Sequence, residues 1–207
     1  MPLPLVKALP TVDGMSRPAA DTSSALARVD ALFGSVLADR LKRGRALGAR
    51  DVGDLQVGAL HHPDPHIRRS CLWVLDHYAN DVSMPVFVQA VRDEVDFVRD
   101  IALHSLACEG CKTGELCLAD VVPSLVRVLE EDPKPDLRIK ALTALVGLAD
   151  REPRAREALE RSGRENSDAL VRRCAADAAR GRFVPPKKRF ERSGRRHAAL
   201  GHGTLPG

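Results

Sequence analysis

One recurrence constrains this chain more than any other feature. An apolar residue followed by arginine appears four times, at Ile67-Arg68, Val98-Arg99, Leu137-Arg138 and Val171-Arg172, with separations of 31, 39 and 34 residues. Four residues after each anchor stands a small residue (Cys71, Ala102, Ala141, Ala175). An apolar or small pair then follows at Val74-Leu75, Ser105-Leu106, Ala144-Leu145 and Ala178-Ala179. Offsets of four, seven and eight put these positions on one face of a helix. A small residue at a fixed place lets a neighbouring helix approach closely, while the bulkier ones fill the groove between helices. Self-similarity at such a period marks an array whose units bury their apolar faces only against one another.

Each anchored segment is preceded by an acidic or proline-containing turn, as in His62-Pro63-Asp64-Pro65-His66 and Glu131-Asp132-Pro133-Lys134-Pro135-Asp136. Asp64 suits an N-cap and Pro65 the first helical position. A shorter helix is expected before each turn, at about 51–60, 83–92, 120–131 and 153–163, so the unit reads helix, turn, helix. Nearer the N-terminus, Leu26, Val29, Leu32, Phe33, Val36, Leu37 and Leu41 recur at three and four. They predict a capping helix over 24–43, opened by Ser23 or Ser24 and stopped near Gly44. No period-two strand pattern appears. Aromatic residues are only 3% of the chain, so Leu, Val and Ala must carry the packing, which favours helices over sheets.

The expected organisation is a flexible lead-in over 1–22, a helical array over 23–181 and a basic flexible tail over 182–207, with Met15 a second candidate start. No run approaches the roughly 20 apolar residues that span a bilayer, and no secretory signal pattern stands at the beginning. With five cysteines, an odd number in a chain able to bury its own core, reduced thiols and a cytoplasmic protein are expected.

The pattern resembles the HEAT-repeat family, in particular its short bacterial type related to the phycobilin-lyase repeats, where Asp-Pro-x-Val-Arg-x-x-Ala-x-x-Ala-Leu opens the second helix. The match is closest at Asp64-Pro65-His66-Ile67-Arg68-Arg69-Ser70-Cys71 and at Asp136-Leu137-Arg138-Ile139-Lys140-Ala141-Leu142-Thr143-Ala144-Leu145, and it covers about residues 50–181. The last unit, from Asp168 to Ala175, lacks the proline and the large apolar residues, as a terminal capping repeat does. The resemblance implies an all-α fold: a right-handed α-solenoid of about four helical hairpins. It implies fold better than function, because such arrays serve unrelated tasks.

The net charge of +4 is unevenly placed. Arg180, Arg182, Lys187, Lys188, Arg189, Arg192, Arg195 and Arg196 face Glu191 alone between residues 180 and 197, so the rest of the chain is mildly acidic. Basic residues interleaved with Phe183 and Phe190 can neutralise phosphates and stack on bases, yet they specify no sequence. A solvated extension is the plainer reading. Arg68, Arg99, Arg138 and Arg172 allow two readings as well: a basic stripe, or a ladder in which each pairs with Asp or backbone carbonyls of a neighbouring turn.

The longest anchor spacing falls where the second unit ends in His104-Ser105-Leu106-Ala107-Cys108-Glu109-Gly110-Cys111-Lys112-Thr113-Gly114-Glu115-Leu116-Cys117. His104, Cys108 and Cys111 share one helical face if the helix persists, and Cys117 can return as a fourth ligand. Such a set suits a closed, structural tetrahedral zinc site. The alternative is that the cysteines are small buried residues and His104 faces solvent. A redox role is disfavoured because this CxxC ends a helix rather than opening one. His61, His62 and His66 read as a solvated turn, Cys71 and Cys174 as core, and Trp73 and Tyr78 as packing residues.

No phosphate loop, HExxH or GxSxG is present, so a non-enzymatic protein-binding scaffold is expected. Its contact surface is assigned to Arg69, Asp76, Asp100, Lys140 and Arg173. Nucleic acid is the alternative partner, through Lys187, Lys188, Arg189, Arg192, Arg195 and Arg196 of the tail, or through a clamp like that of HEAT-like DNA glycosylases. A tetrapyrrole ligand follows only from the lyase resemblance. No membrane partner is expected.

Overall fold

The computed structural model describes residues 19–33, 47–107 and 118–184, and these residues are all-helical, with no strand among them. The helices are α1 (Ala19–Ala31), α2 (Ala49–His61), α3 (Pro65–Tyr78), α4 (Asn80–Ala90), α5 (Asp96–Ala107), α6 (Leu118–Glu131), α7 (Pro135–Leu148), α8 (Pro153–Glu165) and α9 (Ala169–Ala179). None of them is long and apolar enough to cross a membrane.

Local chemistry fixes the helix starts. The Asp64 carboxylate accepts the His66 N–H at 2.8 Å, and Pro65 takes the first helical position, where its missing N–H costs nothing. Pro135 and Pro153 open α7 and α8 in the same way. Asp168 caps α9 by accepting from the Leu170 and Val171 amides, both at 2.9 Å. Gly181 ends α9 with φ +67, the left-handed conformation that glycine adopts without penalty, and its N–H closes on the Ala178 carbonyl at 2.9 Å.

Several helix starts differ from the sequence expectation. Helix α1 begins at Ala19, inside the expected lead-in, because two alanines and Asp21 in the first turn favour an earlier start. Helices α2, α4 and α6 begin two or three residues early, so that Pro85 and Pro123 lie past the first turns of α4 and α6. The expected continuation of the first helix to residue 43 lies outside the described residues beyond Phe33.

The first helix of each pair packs against the one that follows it, α2 on α3, α4 on α5, α6 on α7 and α8 on α9, though it is not always the shorter: α6 equals α7 in length and α8 exceeds α9. The first members also touch in order, α1, α2, α4, α6, α8, and the second members do likewise, α3, α5, α7, α9. One hydrophobic core runs between these two rows. The small residues Cys71, Ala102, Ala141 and Ala175 are all fully buried, as are Val98 and Val171 among the anchors. Close approach is pronounced at Gly58, where an added Cβ would lie 2.9 Å from Cys71 Sγ and 3.0 Å from a Val29 methyl. At Gly163 it would lie 2.9 Å from the Ala176 backbone.

Candidate functional site

The four repeated arginines follow the ladder reading. Arg68 donates from Nε and Nη2 to the two oxygens of Asp93, at 2.7 and 2.9 Å, and from Nη1 to the His62 carbonyl at 2.9 Å. Arg99 repeats this: both oxygens of Asp132 accept, at 2.7 and 3.1 Å, and so does the Asp93 carbonyl at 2.9 Å. Arg138 donates to the Asp132 carbonyl at 2.6 Å, to Asn166 Oδ1 at 3.1 Å and to Ser167 Oγ at 3.0 Å. Arg172 donates to the Asn166 carbonyl. Each arginine thus grips the carbonyl six residues behind it, and the first three also grip a side chain of the following turn.

The turn residues serve twice. Asp93 accepts the Val95 N–H, Asp132 the Lys134 N–H and Asn166 the Asp168 N–H, so each holds its own turn while receiving the previous arginine. His62 occupies the equivalent first position. Its Nδ1 accepts the Asp64 N–H at 3.0 Å and its Nε2 lies 3.1 Å from Asp30 of α1. His62 is therefore buried, unlike the solvated turn expected of it, whereas His61 and His66 are exposed. The sequence signal for these residues was present: a polar residue stands six before each repeated arginine.

Charge on the rungs is spent internally. Arg68 and Arg99 are 6% and 7% exposed, so they form no outward basic stripe. The Asp93 carboxylate holds the Arg68 guanidinium even further toward its charged form than usual, against the cost of burial. A bidentate guanidinium–carboxylate pair carries geometry as well as energy, and it fixes the register of one helix pair on the next. A similar fork joins α1 to α2, where Arg28 donates to Asp54 at 2.6 and 2.7 Å.

The expected contact surface is brought together only in part. Arg69 is half-buried and Arg173 exposed. Asp100 on α5 and Lys140 on α7 pair with each other across the second row, and Asp96 and Lys134 pair beside them at 2.9 Å. Hydrogen bonding from Lys134 holds the Asp96 carboxyl below its usual range. Asp76 departs from the expectation altogether. It is fully buried, with His77 Nδ1 at 4.0 Å and His104 Nε2 at 3.9 Å, because its position on α3 turns inward toward α5.

Around it lies an aromatic cluster on the last turns of α3. Trp73 stacks on His77 with ring centroids 4.3 Å apart, and Tyr78 meets Trp73 edge-on at 6.5 Å. Tyr78 is half exposed, so it is not the packing residue that was expected. Cys71 is fully buried and Cys174 partly so. Burial pushes the Cys71 thiol up to about 12, which leaves it protonated and unreactive at neutral pH.

Of the expected zinc ligands, His104 lies on α5 with its ring partly exposed, while Cys108, Cys111 and Cys117 lie outside the described residues. Among the described residues no group of three His, Cys, Asp or Glu is arranged to hold a metal ion. The tail residues Lys187, Lys188, Arg189, Arg192, Arg195 and Arg196 also lie outside them. No family model, curated protein or solved structure matches the chain, so its resemblance to HEAT repeats rests on the repeated residues themselves.

Proposed function

We propose that the chain is a non-catalytic protein-interaction scaffold, an α-solenoid of about four HEAT-like hairpins that offers its outer residues to a protein partner. One observation supports this reading: ion pairs and hydrogen bonds to the next turn engage the repeated arginines Arg68, Arg99 and Arg138 internally, at intervals matching the repeat, and tie successive helix pairs together. A chain that spends its most regular chemistry on joining units is built to present a long surface. Arg69 and Arg173 are the members of the expected contact set on the second row that no ion pair above engages.

A structural zinc ion on His104, Cys108, Cys111 and Cys117 belongs to the same proposal, as a staple for the longest interval between units. Its test is metal analysis of the purified protein. About one equivalent of zinc is expected, lost in Cys108→Ser, and zinc well below one equivalent in both proteins refutes the staple.

The scaffold itself is tested by copurification from native extract, comparing the full chain with a chain ending at Val184, at low and moderate salt. A defined protein retained by both supports the scaffold. Nucleic acid retained only by the full chain and released by salt, with no protein partner, replaces it with electrostatic binding through the tail.

A further inference from the structure

The ladder shows what completes each arginine. Arg68 is completed by Asp93, Arg99 by Asp132, and Arg138 by Asn166 and Ser167, always from the next turn. Arg172 stands at the same place on α9 and keeps the same bond to its own turn, through the Asn166 carbonyl. Among the described residues no following turn meets it. The nearby carboxylates are engaged elsewhere: Asp168 caps α9, and Asp177 lies 3.6 Å from Arg182. Arg164 and Arg173, both exposed, flank the same turn in sequence, and Leu170 is 51% exposed beside them.

We propose that the α9 end is a docking site for an acidic turn of a partner protein, whose Asp side chain occupies the place at Arg172 that Asp93 and Asp132 occupy at Arg68 and Arg99. This rests on the scaffold reading and names the chemistry of its partner. The guanidinium fork matches a carboxylate in two-point geometry, and the surrounding arginines attract an acidic segment. A second copy of this chain is a poor occupant. Its corresponding first-turn residue is His62, buried and already held between Asp30 and the Asp64 amide. The residues after Val184 are a poor occupant too, since their single acidic residue, Glu191, is surrounded by basic ones. Apart from Leu170, the exposed residues of α9 and its C-cap, such as Arg173, Ala179 and Arg180, are small or charged, so little apolar surface is buried and the contact is of modest affinity.

The probe is a fluorescent peptide with the sequence of residues 128–142, VLEEDPKPDLRIKAL, which carries the Asp132 turn. It is titrated into the full-length protein at low salt. Saturable binding is expected, weakened about tenfold by Arg172→Gln and similarly by Asp132→Ala within the peptide, because each removes a charge-assisted contact. Arg50→Gln, an exposed charge on α2, should leave binding unchanged, and circular dichroism should show Arg172→Gln folded as wild type. Absent saturable binding, or binding equal in Arg172→Gln and wild type, overturns the proposal. The two readings fail separately: if an extract partner is retained equally by Arg172→Gln and wild type, the scaffold stands and only the docking site falls.

Discussion

Arg99 and Asp132 meet fork to fork across 33 residues of sequence, Nε to Oδ2 at 2.7 Å and Nη2 to Oδ1 at 3.1 Å, with side chains 9% and 3% exposed. Removing one partner strands a buried charge and leaves the other's hydrogen bonds unmade. Arg99→Ala and Asp132→Ala are each expected to cost about 3–5 kcal/mol, measured by urea unfolding. The double substitution should cost clearly less than the sum, because neither charge then remains.

The last rung differs, since its acceptor is neutral. Asn166 receives Arg138 on Oδ1 and donates through Nδ2 to the Leu129 carbonyl at 3.0 Å and to Ser162 Oγ at 3.1 Å. Asn166→Asp would imitate the other rungs in charge, but it sets a carboxylate oxygen against that carbonyl. The half-exposed Arg138 offers at most about 1 kcal/mol in return. A net destabilisation of about 1–2 kcal/mol is expected from the same unfolding assay.

Two glycines give opposite signs. Gly147 on α7 has open space around it, so Gly147→Ala should stabilise by up to about 1 kcal/mol through helix propensity alone. Gly163 on α8 abuts the Ala176 backbone, so Gly163→Ala must push two helices apart and should cost about 1–3 kcal/mol. Thermal unfolding of the two variants side by side checks the pair.

Cys71 predicts a dependence on alkaline pH. Its thiol is raised to about 12 in the folded protein from an ordinary value near 9. The folded state therefore keeps a proton that the unfolded state releases above pH 9. This contribution to stability is complete below the unfolded value and is lost as pH rises from there toward 12. Between pH 8 and 10 the wild type should lose about 1.4 kcal/mol more than Cys71→Ala does. In the native protein at pH 8, a thiol reagent should leave Cys71 unlabelled until denaturant is added.

The helical class, the pairing of helices and the small buried positions were legible because each depends on local periodicity. Cys71, Ala102, Ala141 and Ala175 all fall where the spacing put them. The ladder was legible as a choice between two readings, but its acceptors were not named. Asp93, Asp132 and Asn166 acquire their partners across 25 to 33 residues, a distance that periodicity does not reach. Asp76 and His62 were misplaced for the same reason. An ionisable residue reads as solvent-facing on its own, and only the helix arriving from elsewhere buries it, α5 in one case and α1 in the other.

The change from Asp to Asn along the ladder also grades the molecule mechanically. Buried charged rungs join the earlier hairpins, whereas the rung to the last hairpin is neutral and the one ion pair beside it, Arg161 on α8 with Glu130 on α6 at 2.7 Å, is partly exposed and so worth little. Such a structure behaves as a chain of coupled links in which the weakest opens first, so α8 and α9 should exchange their amide hydrogens through partial openings that leave α3 and α5 closed. The end that breathes is the end that carries Arg172. A ligand taken up there would tighten the hairpin it touches, and the energy of recognition would be read out as rigidity rather than as a change of shape.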